Sequence, residues 1–138
     1  MRILFAGLTL LALGSTAHAQ GLVGKTIISN PTMQVCNTEG RCSPIPGSIN
    51  MYVSEKGQLF DYGSGNQGTV VANGGTVNGV RYSARGNSLI VESAGIVRMT
   101  ITARGSSCTV SGQSLRAGAI VRVDSGYSCS VVQGRRDR

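Results

Sequence analysis

The stretch VNGVRYSARGNSLIVESAGIVRMTITAR, from Val77 to Arg104, decides the fold. Asn78-Gly79 between two valines is the strongest short hairpin signal, because both turn positions need positive φ. Val80, Tyr82 and Ala84 then fall on one side of an extended strand, with Arg81, Ser83 and Arg85 on the other. Gly86-Asn87 turns the chain, Leu89 to Glu92 returns it, and Ala94-Gly95 turns it again. Val97, Met99, Ile101 and Ala103 give an apolar face, and Arg98, Thr100, Thr102 and Arg104 give a wet one. Three strands joined by two-residue turns predict an antiparallel meander.

The same grammar extends in both directions. Lys25 to Ser29 is a first strand stopped by Asn30-Pro31, and Met33 to Cys36 resumes it after a kink. Ser43-Pro-Ile-Pro-Gly47 is expected to be a stiff irregular link, since two prolines remove two backbone donors. Ile49, Met51 and Val53 alternate with polar neighbours, Glu55-Lys56-Gly57 turns, and Gln58 to Tyr62 returns. Gly63 to Gly68 is a Gly/Ser/Asn loop, and Val70 to Ala72 is a short strand. Cys108-Thr-Val110 and Cys129-Ser-Val131 are near copies that flank a strand from Ile120 to Asp124. No helical period appears after residue 20. The expectation is an all-β domain of about eight or nine short strands, meander-rich, closed as a small antiparallel barrel or packed as a sandwich. The hairpin order leans toward a barrel or rolled sheet.

The 138-residue chain opens with the three parts of a secretory signal. Arg2 is the positive n-region, Ile3 to Leu13 the apolar run, and Ala17-His18-Ala19 the small-x-small cleavage site. The run is far shorter than the ~20 residues that span a bilayer. Residues 1–19 are therefore expected to be removed, 20–134 to form one domain, and 135–138 to be a basic tail. No membrane span is expected in the mature protein, which would be periplasmic or secreted.

Cys36, Cys42, Cys108 and Cys129 are an even set in a short exported chain, which predicts two disulfides. Three connectivities exist. Cys36–Cys42 and Cys108–Cys129 are favoured because each pair is close in sequence. Closing those rings would stabilise by roughly 2.4 and 3.4 kcal/mol in the chain-entropy picture. A zinc site needs reduced thiolates, usually at paired short spacings, and the spacings here do not match.

Loss of His18 with the signal leaves no histidine, so Ser-His-Asp and Cys-His nucleophile systems have no base. Lys25 and Lys56 are the only lysines, and Lys56 sits in a solvated turn that would not lower its pKa. The carboxylates Glu39, Glu55, Asp61, Glu92, Asp124 and Asp137 are scattered, and Glu92 is read as a cross-strand partner of Arg81 or Arg98. The glycines lack a following helix and a Gly-Lys-Ser/Thr triplet, so they are turn residues and not a phosphate loop. No enzyme, cofactor or metal is expected.

The formal charge of +7 falls by one with Arg2, and the remainder is almost all arginine. Arg81, Arg85, Arg98 and Arg104 would share one solvent face if the meander pairs as read, giving a cationic patch for an anionic envelope component. The plainer reading is that they only solvate a sheet. Nucleic acid is not the expected partner, because stacking aromatics are few and the compartment is wrong. Arg41, in a loop closed by Cys36 and Cys42, would suit a protein-binding inhibitor or accessory subunit acting on another exported protein.

Several stretches together resemble an uncharacterised family of small exported proteins of alphaproteobacteria. They are Leu22-Val-Gly-Lys-Thr-Ile-Ile28, Met51-Tyr-Val-Ser-Glu-Lys-Gly57 running into Phe60, and Ala84-Arg-Gly-Asn-Ser-Leu89. The strand from Arg98 to Ile101 and the late pair Cys108 and Cys129 complete the match. The resemblance implies export and a β fold, and it implies no catalytic residue. Members of that family often carry a tryptophan after the first strand's Gly-Lys, where this chain has Ser29-Asn30, and some lack the early cysteine pair.

Overall fold

The structure, a computed structural model, describes residues 21–63, 68–93 and 95–135. The expected signal segment 1–19 with Gln20, the loop positions 64–67, Ala94 of the expected second turn and the tail at 136–138 lie outside the described residues. Four strands open the described chain: β1 (Lys25–Ser29), β2 (Thr32–Cys36), β3 (Cys42–Pro46) and β4 (Ile49–Val53). Next come β5 (Gln58–Asp61), β6 (Thr69–Ala72) and the two-residue β7 (Thr76–Val77). The meander and its continuation are β8 (Val80–Arg85), β9 (Ser88–Ser93), β10 (Val97–Arg104) and β11 (Ser107–Ser114). The last two are β12 (Ile120–Val123) and β13 (Cys129–Gln133).

Ten strands form one antiparallel sheet in the order β6-β5-β4-β1-β13-β11-β10-β9-β8-β7, and β12-β2-β3 form a second. The fold is thus all-β, with a near-closed barrel and a small extra sheet. The strands outnumber the eight or nine expected, and the reason is local. Residues 42–46 are a strand and not an irregular link. β3 is an edge of the small sheet, where proline is tolerated because one backbone side has no ladder to feed. Nor does Met33 to Cys36 continue β1. Asn30-Pro31 sends β2 into the other sheet.

The meander pairs as read: Leu89 faces Ala84 on one side and Ile101 on the other, and Met99 faces Val91. Asn78 and Gly79 hold φ of 51° and 81°, as the hairpin requires. The second connection differs slightly from expectation, since Ser93 pairs with Val97 and leaves three residues between them. Inward residues alternate with outward ones. Ile27, Met51, Val53, Leu59, Leu89 and Ile101 are fully buried, and each is a member of the single core cluster. Burying a side chain of this size contributes about 1.5–3 kcal/mol.

The small sheet is built from two excursions of the barrel chain. One leaves after β1 and returns at β4, the other leaves after β11 and returns at β13, and they meet where β12 pairs with β2. The sheet lies against the barrel at Gly112, where an added Cβ would stand 2.6 Å from Val121 Cγ1.

Two joints complete the barrel. β13 and β11 share the register pair Ser107–Ser130, a short ladder, and the Cys108–Cys129 cystine crosses it. At the other joint, Asn73-Gly74-Gly75 links β6 to β7, the two ends of the sheet order, and bonds to β8. Gly74 N donates to Tyr82 O at 2.7 Å, and Tyr82 N donates to Gly75 O at 3.0 Å. The Asn73 carboxamide donates to Ala84 O at 3.0 Å and accepts from Ala84 N at 2.9 Å, replacing a strand residue with a side chain. The second cystine, Cys36–Cys42, bridges directly paired residues of β2 and β3. β1 and β13 are antiparallel neighbours, and Gly134 N donates to Gly24 O at 2.8 Å, so both ends of the described chain lie together.

Candidate functional site

The outer face of β8–β11 is set by strand alternation. Its register puts Arg81, Glu92, Arg98 and Gln113 on one rung, and Ser83, Ile90, Thr100 and Ser111 on the next. Arg85, Ser88, Thr102 and Thr109 follow, and Arg104 lies one rung further beside Ser107. Neighbouring strands are about 4.8 Å apart, so the face is a regular field of hydroxyls studded with four guanidinium groups.

Glu92 is the only carboxylate on this face, and it divides the arginines. Arg98 Nε donates to Glu92 Oε2 at 2.6 Å, and Arg81 approaches Glu92 Oε1 at 3.7 Å. Arg81 Nε also donates to Gly74 O at 3.2 Å, which fixes it at the barrel joint. These half-exposed pairs contribute about 0.2–1 kcal/mol at most. Their larger effect is on charge: Arg81 and Arg98 are locally compensated. Arg85 and Arg104 form no ion pair among the described residues. A shallow depression of ≈ 350 Å³ lies beside Arg85, away from Arg104, bounded by Asn73, Arg81, Ser83, Arg85 and Ile90.

Arg41 is elsewhere, at the tip of the small sheet's β2–β3 hairpin. Asn37 Oδ1 accepts from the N–H groups of Glu39 and Arg41, both at 2.9 Å, and so holds the loop from within. The Arg41 side chain is 84% exposed and reaches Glu39 only at 4.0 Å. All four cysteines are in the two expected cystines and none is free.

The three strand-borne carboxylates are not brought together. Glu92 is on the outer face. Asp61 sits opposite Met51 and Thr69 in the inward register, and its Oδ1 accepts from Gly63 N at 3.0 Å. Asp124 follows the last residue of β12 in the other sheet and is exposed. Among the described residues no group of three potential metal ligands converges.

Sequence reasoning missed a cavity of ≈ 140 Å³ where the small sheet meets the barrel. Ile49, Val80, Val91, Val97 and the two methionines Met33 and Met99 line it, with Tyr82, Ser48 and Ser93 as its polar groups. Burial, and then the nearby Asp61 carboxylate, push the Tyr82 phenol up from its ordinary 10.0. Alternating apolar residues signal an inward face, but they cannot tell a filled interior from one with a gap.

One row on the opposite side of the barrel is largely apolar, around the buried Thr26. Val132, Thr26, Tyr52, Phe60 and Val70 stand in register across five strands. Arg135, at the start of the expected tail, lies 4.1 Å over the Phe60 ring and donates from Nε to the Tyr62 hydroxyl at 3.0 Å. Among the described residues no helix is long and apolar enough to cross a membrane. No protein-family model matches the chain, and no curated protein or solved structure matches it.

Proposed function

We propose that this is an exported, non-enzymatic binding protein of the cell envelope, which holds an anionic envelope component on the outer face of β8–β11. One observation carries the reading: four arginines and a field of serine and threonine hydroxyls share that face with a single carboxylate, Glu92. Arg85 and Arg104 supply the uncompensated charge, and the hydroxyls supply hydrogen bonds to sugar or phosphate oxygens. The test is retention of the protein on an immobilised carboxylated polysaccharide as salt is raised. Retention should fall steeply with salt, as expected of exposed charges. An Arg85→Glu, Arg104→Glu double variant should elute early. Salt-independent retention, or a double variant that binds as before, would overturn the reading.

A second reading has its own observation, the preorganised Arg41 loop. A side chain 84% exposed on a loop fixed by a cystine and by Asn37 suits a protein-binding inhibitor or accessory subunit. An Arg41→Ala variant should then lose its exported partner in a pull-down, and unchanged capture would remove this alternative.

A further inference from the structure

We infer that the cavity between the small sheet and the barrel is a binding site for a compact, uncharged, mostly apolar molecule carrying one hydrogen-bond acceptor. The inference is independent of the arginine face. Its first support is size. The pocket is half-open, with exposed Ser48 at its rim, and its ≈ 140 Å³ is about the volume, ~150 Å³, that a benzene-sized ring occupies in an apolar site. The second is the adaptability of its wall. Gly47 is buried beneath it, and an added Cβ there would stand 3.1 Å from Met99 Sδ and 3.2 Å from Met33 Cε. Two flexible thioethers therefore converge over a position with no side chain, and methionine adapts readily to ligand shape.

The third support is polarity. No charged residue lines the cavity among the described residues. The Tyr82 hydroxyl makes no side-chain hydrogen bond to another described residue, and it is not a buried unsatisfied atom. It can donate to a ligand oxygen, with Ser48 and Ser93 beside it. Asp61 acts on the same phenol from nearby, so an anionic ligand would meet repulsion and desolvation with no compensating cation. A few polar groups in a mostly apolar barrel mouth are the usual form of a small-molecule site.

Three probes of similar shape test this: cyclohexanone, methylcyclohexane and cyclohexanecarboxylate. The readout is the ¹³C-methyl NMR signals of Met33 and Met99 on titration. Cyclohexanone should move both signals and bind best. Methylcyclohexane should bind about fivefold more weakly, the worth of one net hydrogen bond. The carboxylate should not bind. Tyr82→Phe should remove the fivefold preference and leave the hydrocarbon unaffected. Val80→Phe, which adds a ring at the cavity wall, should abolish binding of both, with the remaining methyl signals reporting that it folds. The inference fails if no probe moves either methionine signal or if the carboxylate binds as well as the ketone. It also fails if Tyr82→Phe weakens ketone and hydrocarbon alike, or if folded Val80→Phe still binds.

Discussion

Asn73 is the residue on which closure of the barrel turns. Its carboxamide stands in for a strand residue by satisfying both backbone groups of Ala84, which is itself buried. Asn73→Ala should destabilise the protein by about 1–2 kcal/mol in a urea titration, because it orphans a donor and an acceptor together. Asn73→Asp keeps the acceptor and loses the donor, so it should fall between. Tyr82 sets a different residue-scale expectation. Its phenol ionises less readily when folded than in the unfolded chain, whose value is near 10.0. The unfolded state therefore releases its proton first as pH rises. This contribution to stability is complete below pH ~10 and is lost as pH climbs through the raised folded value. Urea midpoints should drop on the alkaline side, and Tyr82→Phe should flatten that drop.

Between elements, contact of the small sheet with the barrel depends on Gly112. Its backbone is not in the left-handed region, so alanine is tolerated by φ, but the added methyl would press on Val121 at 2.6 Å. Gly112→Ala should cost about 1–3 kcal/mol through overpacking. Adding Val121→Ala should restore part of that loss, measured by the same denaturation. These elements also mark where the sequence was legible. The meander could be read because Asn78-Gly79 and strict alternation specify it within a few residues. The Glu92 pairs followed from register alone, and the cystines from spacing and parity. The partner of β12 could not be read, since it is β2, far back along the chain, and period-2 alternation says which side is wet but not which strand lies alongside. β3 was hidden by its prolines, whose meaning depends on edge position, and edge position is a property of the assembled sheet.

At the scale of the molecule the barrel is two five-stranded leaves, β6-β5-β4-β1-β13 and β11-β10-β9-β8-β7. They meet at the short β13–β11 ladder and at the Asn73 joint. The cystines are therefore unequal. Cys108–Cys129 closes the longer loop and spans a leaf boundary, whereas Cys36–Cys42 staples one hairpin. Replacing the first pair by serines should cost roughly 3.4 kcal/mol and the second roughly 2.4 kcal/mol. Equal costs, or the reverse order, in equilibrium denaturation would contradict this loop-length account of the two cystines. The adjacency of β1 and β13 has a further consequence, for genetic rearrangement. Because Gly24 and Gly134 are hydrogen-bonded, a linker placed ahead of the buried Leu22 and after Arg135 can join the chain ends, and new ends can be cut between Gly86 and Asn87. Such a circular permutant keeps every strand of both leaves whole, and it should fold to the same near-ultraviolet circular dichroism spectrum.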